Sequence, residues 1–191
     1  MDSLLGKVLI ATILLTADGA PATKCFIAKY RDLPPSEIKA IRHLKDAYES
    51  YIQTMPAKEQ NCSEELLLQK PTVRDFTEKL IVLKHKVDLA VEVLMNMTNS
   101  TLSKNVIKPL EDLQIIGHDL RICVSKHRTQ HSHHLKHWLR NFNKIKKAET
   151  PDCLQKAVIP RIFQLRQEVV CIAHDKKCEE KRSRLASPAM N

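Results

Sequence analysis

Apolar positions recur at three- and four-residue steps through five stretches of the chain. Ile41, Leu44, Tyr48 and Ile52 form the first set, and Leu80, Leu83, Val87, Val91 and Leu94 the second. Leu110, Leu113, Ile116 and Leu120 follow, then Leu135, Trp138, Leu139, Phe142 and Ile145. The last set is Leu154, Val158, Ile162, Leu165, Val169 and Ile172. At about 100° per residue, each set lines one side of a helix, which is how a helix faces a core. The spacing predicts a helix opening at Pro34-Pro35, a second over 77–97 and a third over 103–124. A short fourth helix and a last one reaching Cys171 complete the pattern.

Local signals sharpen these bounds. Proline is tolerated at the first helical position, where its missing N–H had no partner, and Glu37 in the same turn suits the helix dipole. Pro109 falls inside the third pattern and predicts a kink or a start there, and Gly117 weakens that helix. Asp152, after Thr150-Pro151, is the expected N-cap of the last helix. Residues 20–33 read as an irregular lead-in. Residues 53–71 form a long connection with a short helical piece at Glu64–Gln69, and 125–134 are polar and rich in histidine. With no strand pair, repeat or low-complexity tract, the pattern is five or six helices in an up-and-down or crossover bundle.

Two faces are left over after the core is assigned. In the last helix Ile159, Phe163 and Val170 point roughly opposite to the core stripe, with Gln167 on the same side. A second apolar stripe has something further to bury, either under a neighbouring loop or in a protein partner. In the first helix Pro35, Ile38, Arg42 and Asp46 lie together along the flank of the core stripe, where the alternative is a solvated face.

Composition agrees with helices. Among 191 residues only 3 are glycine and 4% are aromatic, too few for the turns of a sandwich or barrel. The length suits one domain. The N-terminus reads as a signal peptide over residues 1–19. Lys7 precedes the apolar run Val8–Leu15, and small residues at Ala17, Gly19, Ala20 and Ala22 put the cleavage at 19–22. The run is too short to span a bilayer, so residues 20–191 are expected to be a secreted single domain, without membrane insertion, ending in a basic tail.

Export changes the meaning of the cysteines. Cys25, Cys62, Cys123, Cys153, Cys171 and Cys178 are an even set, which reads as three disulfides among 15 pairings. The sequons at Asn61, Asn96 and Asn99 are expected to carry at least one glycan.

Charge bears on partners. The net charge of +9 becomes +10 once residues 1–19, with Lys7, Asp2 and Asp18, are removed. A basic secreted protein meets acidic cell surfaces and matrix. Lys144, Lys146, Lys147, Lys176, Lys177, Lys181, Arg182 and Arg184 cluster, as a solvated face or as a heparan sulfate contact. No nucleic-acid motif is present. His131, His133, His134 and His137 suggest a metal, but thiol and carboxylate partners are missing nearby, as is a H-E-x-x-H motif. Neither a nucleophile elbow, nor a P-loop, nor a dinucleotide fingerprint occurs. The expectation is no enzyme, no metal and no cofactor.

Several short stretches then carry a family resemblance. They are Cys25-Phe-Ile-Ala-Lys-Tyr, Leu33-Pro-Pro-Ser-Glu-Ile, Lys45-Asp-Ala, Pro109-Leu-Glu-Asp-Leu leading to Cys123, Leu135-Lys-His-Trp-Leu, Cys153-Leu, Phe163, and Cys171 with six residues between it and Cys178. In this order the sequence resembles the type III interferons, the interferon-lambda group of class II helical cytokines. Type I interferons share the bundle, but their cysteine-alanine-tryptophan signature is missing from the last helices. The resemblance implies a six-helix bundle with pairs Cys25–Cys123, Cys62–Cys153 and Cys171–Cys178. It implies a monomeric antiviral ligand acting through JAK-STAT signalling. The interferon-lambda receptor chain would be gripped by the first helix, the loop after it and the last helix. The interleukin-10 receptor beta chain would be contacted around the first and fourth helices. Pro35, Ile38, Arg42 and Asp46 fall on the family's receptor face, and Phe163 on its main anchor. The sequence departs from the family at Pro160 and Gln60, where aromatics are expected. Against this stands a cationic, matrix-binding host-defence protein whose charge is the function.

Overall fold

Twelve buried side chains, on nearly every side of one helix, make Phe76–Met95 the axis of the molecule. We call it α2. The computed structural model describes residues 25–54, 62, 71–97, 100–125 and 130–174. Its helices are α1 (Pro35–Thr54), α2, α3 (Ser100–Ser125), α4 (His133–Ala148), α5 (Pro151–Val158) and α6 (Ile162–Ala173). A 3-10 turn at Ile27–Tyr30 precedes α1, and another at Ile159–Arg161 joins α5 to α6 without a gap. Among the described residues the chain is therefore all helical, in five rods, the last of them broken.

The core explains the order of packing. Leu80, Leu83, Val87, Leu89, Ala90 and Leu94 of α2 are almost fully enclosed. α3 packs on α2 and α1, α5 and α6 close the other side of α2, and α4 covers it through Leu135, Trp138 and Phe142. At Gly117 a Cβ would meet Val87 Cγ1 at 3.4 Å, an ordinary van der Waals contact, so α3 packs on α2 with room for a methyl there. Asp75 caps α2, its carboxylate accepting from the Glu78 N–H at 3.0 Å. Glu78, in that first turn, is buried and accepts from the Ser132 N–H at 2.6 Å and its hydroxyl at 2.9 Å. Ser132 caps α4 in turn, so one carboxylate fixes where the fourth helix begins.

Some expectations need correction. α3 starts at Ser100 and runs through Pro109, which removes one N–H to the Asn105 carbonyl but does not begin the helix. The cap before Cys153 is Thr150, whose hydroxyl accepts from the Cys153 N–H at 3.3 Å. Pro151 takes the first helical position, and Asp152 sits in the first turn. Ile52, expected in the core, is exposed at the end of α1.

The last helix is not continuous. Pro160 has no N–H for the Lys156 carbonyl, and the chain tightens to three residues per turn over Ile159–Arg161. Two disulfides match the expected pairs. Cys25–Cys123 ties the lead-in to α3, and Cys62–Cys153 ties the long connection to α5. Cys178, the segment Glu64–Gln69, residues 1–24 with the expected signal peptide, Gln60 and the tail from 175 lie outside the described residues.

Candidate functional site

The first-helix flank and the last helix meet at a buried ion pair. α1 packs against α6 and against the turn at Ile159–Arg161. In that seam the Arg166 Nε donates to Glu37 Oε2 at 2.7 Å, with Arg166 only 2% exposed. The Arg166 guanidinium also lies 5.4 Å over the Tyr30 ring, a favourable cation–π distance. Glu37 is next to Ile38 in sequence, and Arg166 lies one turn after Phe163. The pair thus anchors both candidate strips to a common seam.

Beside it a second polar cluster holds the lead-in. The Tyr30 hydroxyl donates to Asp119 Oδ2 at 2.5 Å, and Lys29 reaches the same oxygen at 2.6 Å. Burial, with the Asp119 carboxylate as acceptor, pushes the Tyr30 hydroxyl far above its ordinary range. Burial also pushes the Asp119 carboxyl up, but the hydrogen bonds from Lys29 and Tyr30 outweigh it and hold the group below its usual value. At the other end of this seam, Arg31 Nε donates to the Ala173 carbonyl at 3.3 Å, and the His174 ring lies 2.9 Å from the Arg31 carbonyl.

On α6, Ile162, Leu165, Arg166 and Val169 are buried, while Phe163, Gln164 and Gln167 are exposed. Phe163 is 37% exposed, a large apolar side chain held partly in solvent. Val170 is half-buried. Ile159 is the correction: expected on the partner-facing side, it is 1% exposed. The 3-10 turn breaks the 100° phase that put Ile159 beside Phe163, and the turn itself packs on α1, where Ile159 fills the contact. On α1, Pro35, Arg42 and Asp46 are exposed and Ile38 is half-buried. Arg42 and Asp46 are one turn apart with opposite charges, yet they form no ion pair among the described residues. Both side chains are exposed, with no charged partner among the described residues.

The glycosylation candidates divide. Asn96 is exposed at the end of α2, and Asn61 and Asn99 lie outside the described residues. Cys171 is half-buried near the end of α6. Cys62, Glu149 and Cys153 bring donor atoms within 4.8 Å of one another, but the two sulfurs are joined in a disulfide and cannot act as thiolate ligands. Among the described residues no helix is long and apolar enough to cross a membrane.

Periodicity did not reveal Glu37, Arg166, Tyr30 or Asp119. Glu37 and Arg166 are 129 positions apart. Arg166 borders the core stripe in phase, so only a charge beside an apolar stripe could have hinted at its burial.

Comparison with known proteins follows the same outline. A family model described as Interleukin-28A matches residues 22–175. Interferon lambda-3 of Gallus gallus is 29% identical over 162 residues, covering 83% of this chain and 86% of the relative. Interferon lambda-2 of Mus musculus is 29% identical over 164 residues, covering 82% and 83%. Interferon lambda-1 of Homo sapiens is 25% identical over 146 residues, covering 74% and 72%.

Proposed function

The chain belongs to the interleukin-28A family, the type III interferons, and from that premise we propose that it is a secreted antiviral ligand. It acts by bringing together an interferon-lambda receptor chain and an interleukin-10 receptor beta chain, which starts JAK-STAT signalling. Family membership makes it a cytokine and sets aside the type I alternative. In this reading the chain adopts the family's six-helix bundle, is exported through residues 1–19, acts as a monomer, and carries a third disulfide, Cys171–Cys178. Asn61, Asn96 and Asn99 are its glycan acceptors.

One observation supports the receptor surface above the others. Phe163 stands in solvent on α6, beside a helix that presents Pro35, Ile38, Arg42 and Asp46, and the buried Glu37–Arg166 pair locks the two helices together. A partly exposed aromatic on a helix packed against one that carries exposed charges suits an interface centre with a polar rim. Gln167, one turn from Phe163, extends the surface along α6. Ile107 and Ile115, each 55% exposed on α3, support a second surface for the shared chain, because α3 packs against α1.

Binding of the full chain to both receptor ectodomains tests the reading. Aromatic truncation at an interface centre costs about 2–4 kcal/mol, so Phe163→Ala should weaken the specific chain about 30- to 1000-fold. The melting temperature should hold. Unchanged affinity with unchanged melting would remove α6 from the interface, and failure of the natural chain to bind either ectodomain would refute the function.

A further inference from the structure

The sequence of α4, HHLKHWLRNFNKIKKA, contains five cations and no carboxylate. Its inner face, Leu135, Trp138 and Phe142, is buried, and His85 of α2 lies edge-on to both aromatic rings. Lys146 turns back to pair with Glu92 of α2. The remaining cations face out: Lys136, Arg140, Lys144 and Lys147 are exposed at three- and four-residue steps, with His133 and His137 in line. None of these four cations has a carboxylate partner among the described residues. At 1.5 Å per residue the row from His133 to Lys147 is about 21 Å long. It is straight because one helix carries it.

A row of unpaired cations of that length concentrates positive potential along a line, which fits a linear polyanion. We infer that the outward face of α4 is a binding site for a sulfated glycosaminoglycan chain. Other anionic partners fit less well. Single-stranded nucleic acid needs aromatic platforms for its bases, and the aromatics of α4 face inward. A membrane surface needs the apolar side of the helix, which here is packed on α2. An acidic protein would find no apolar anchor on the face for an interface centre. The site lies on α4, whereas the receptor surfaces proposed above use α1, α3 and α6, so the inference does not depend on that reading.

The test uses the full chain and a size-defined heparin oligosaccharide on a sensor surface, at several salt concentrations. Lys136→Gln/Arg140→Gln/Lys144→Gln/Lys147→Gln should bind about 100-fold more weakly at physiological salt. It should also lower the slope of log affinity against log salt by about three, since each ion contact contributes a little under one. Lys136→Arg/Lys144→Arg/Lys147→Arg should bind as the natural chain does. If the quadruple variant melts early, Arg140→Gln/Lys144→Gln carries the test, with half the change in slope. The inference is overturned if the quadruple variant binds normally. It is equally overturned if Lys181→Gln/Arg182→Gln/Arg184→Gln abolishes binding instead. Equal capture by desulfated heparin, poly-glutamate or phosphatidylserine vesicles would also refute a sulfated ligand.

Discussion

Removing the carboxylate of Glu37 should cost far more than removing the whole ion pair. Arg166 is 2% exposed and Glu37 16%, with 2.7 Å between Nε and Oε2. At an effective dielectric near 20, two unit charges at that distance attract by about 6 kcal/mol. Desolvating the two ions costs several kcal/mol each and offsets most of that gain. The intact pair is therefore nearly neutral against an apolar substitute, while Glu37→Leu strands the guanidinium. The Arg166 Nη1 is already buried without a hydrogen-bond partner among the described residues, so no spare acceptor waits to take over. Breaking a buried pair costs about 3–5 kcal/mol. The residual exposure of Glu37 lets water approach and places the expected loss near 3 kcal/mol. For a chain of this size that lowers the melting temperature by about 6–12 °C. Glu37→Leu/Arg166→Met should recover to within about 1 kcal/mol of the natural chain, less the cation–π contact with Tyr30. Guanidinium unfolding of the four members of this cycle is the assay. A Glu37→Leu chain as stable as the natural one would mean that the Arg166 charge is solvated. A double variant as weak as the single one would assign the loss to packing rather than charge.

Leu165→Ala should destabilise by about 2–5 kcal/mol through the cavity it leaves, and activity should fall only as far as folding does; an unchanged melt would put the wrong face of α6 inward. Replacing both Cys25 and Cys123 by serine opens a link between residues 98 apart and should cost about 4–5 kcal/mol in the same unfolding assay. Burial, then the nearby Lys84 charge, lowers the folded pKa of His85 below its ordinary 6.5, so the unfolded chain takes up the proton first. Stability from this group is present above about pH 6.5 and is lost as pH falls toward the folded value; melts from pH 7.5 to 5 should show that decline, and His85→Gln should flatten it. Gly117→Ala should stabilise by about 0.5–1 kcal/mol in thermal melts, because the new methyl meets Val87 Cγ1 at 3.4 Å and the helix gains propensity.

Five apolar stripes were legible in the sequence, and five helical rods carry them. Leu44, Tyr48, Leu80, Leu83, Val87, Leu113, Ile116, Leu120, Leu135 and Leu165 were all placed inward by phase, and all are buried. A helix turns by a fixed angle per residue, so its own sequence records which side is apolar. The first-helix flank was legible for the same reason: Pro35, Arg42 and Asp46 share a side and remain in solvent. Across the last rod that logic failed. The stripe reads as one continuous helix through Pro160, whereas the chain tightens there into a 3-10 turn that leans on α1 and buries Ile159.

What the sequence determined by itself is therefore the helices, the side of each that is apolar, and the lack of carboxylates on α4, all of which depend on residues within a turn or two of one another. The tertiary structure alone decided that α2 is the axis, that Glu37 reaches Arg166 across 129 positions, that Asp119 takes both Lys29 and Tyr30, and that Lys146 is paired while Lys144 and Lys147 have no carboxylate partner among the described residues. Those outcomes depend on which rods meet and at what depth. Helix packing admits several arrangements for the same apolar stripes, and a charge beside a stripe has the same local pattern whether its partner is water or a carboxylate from another helix.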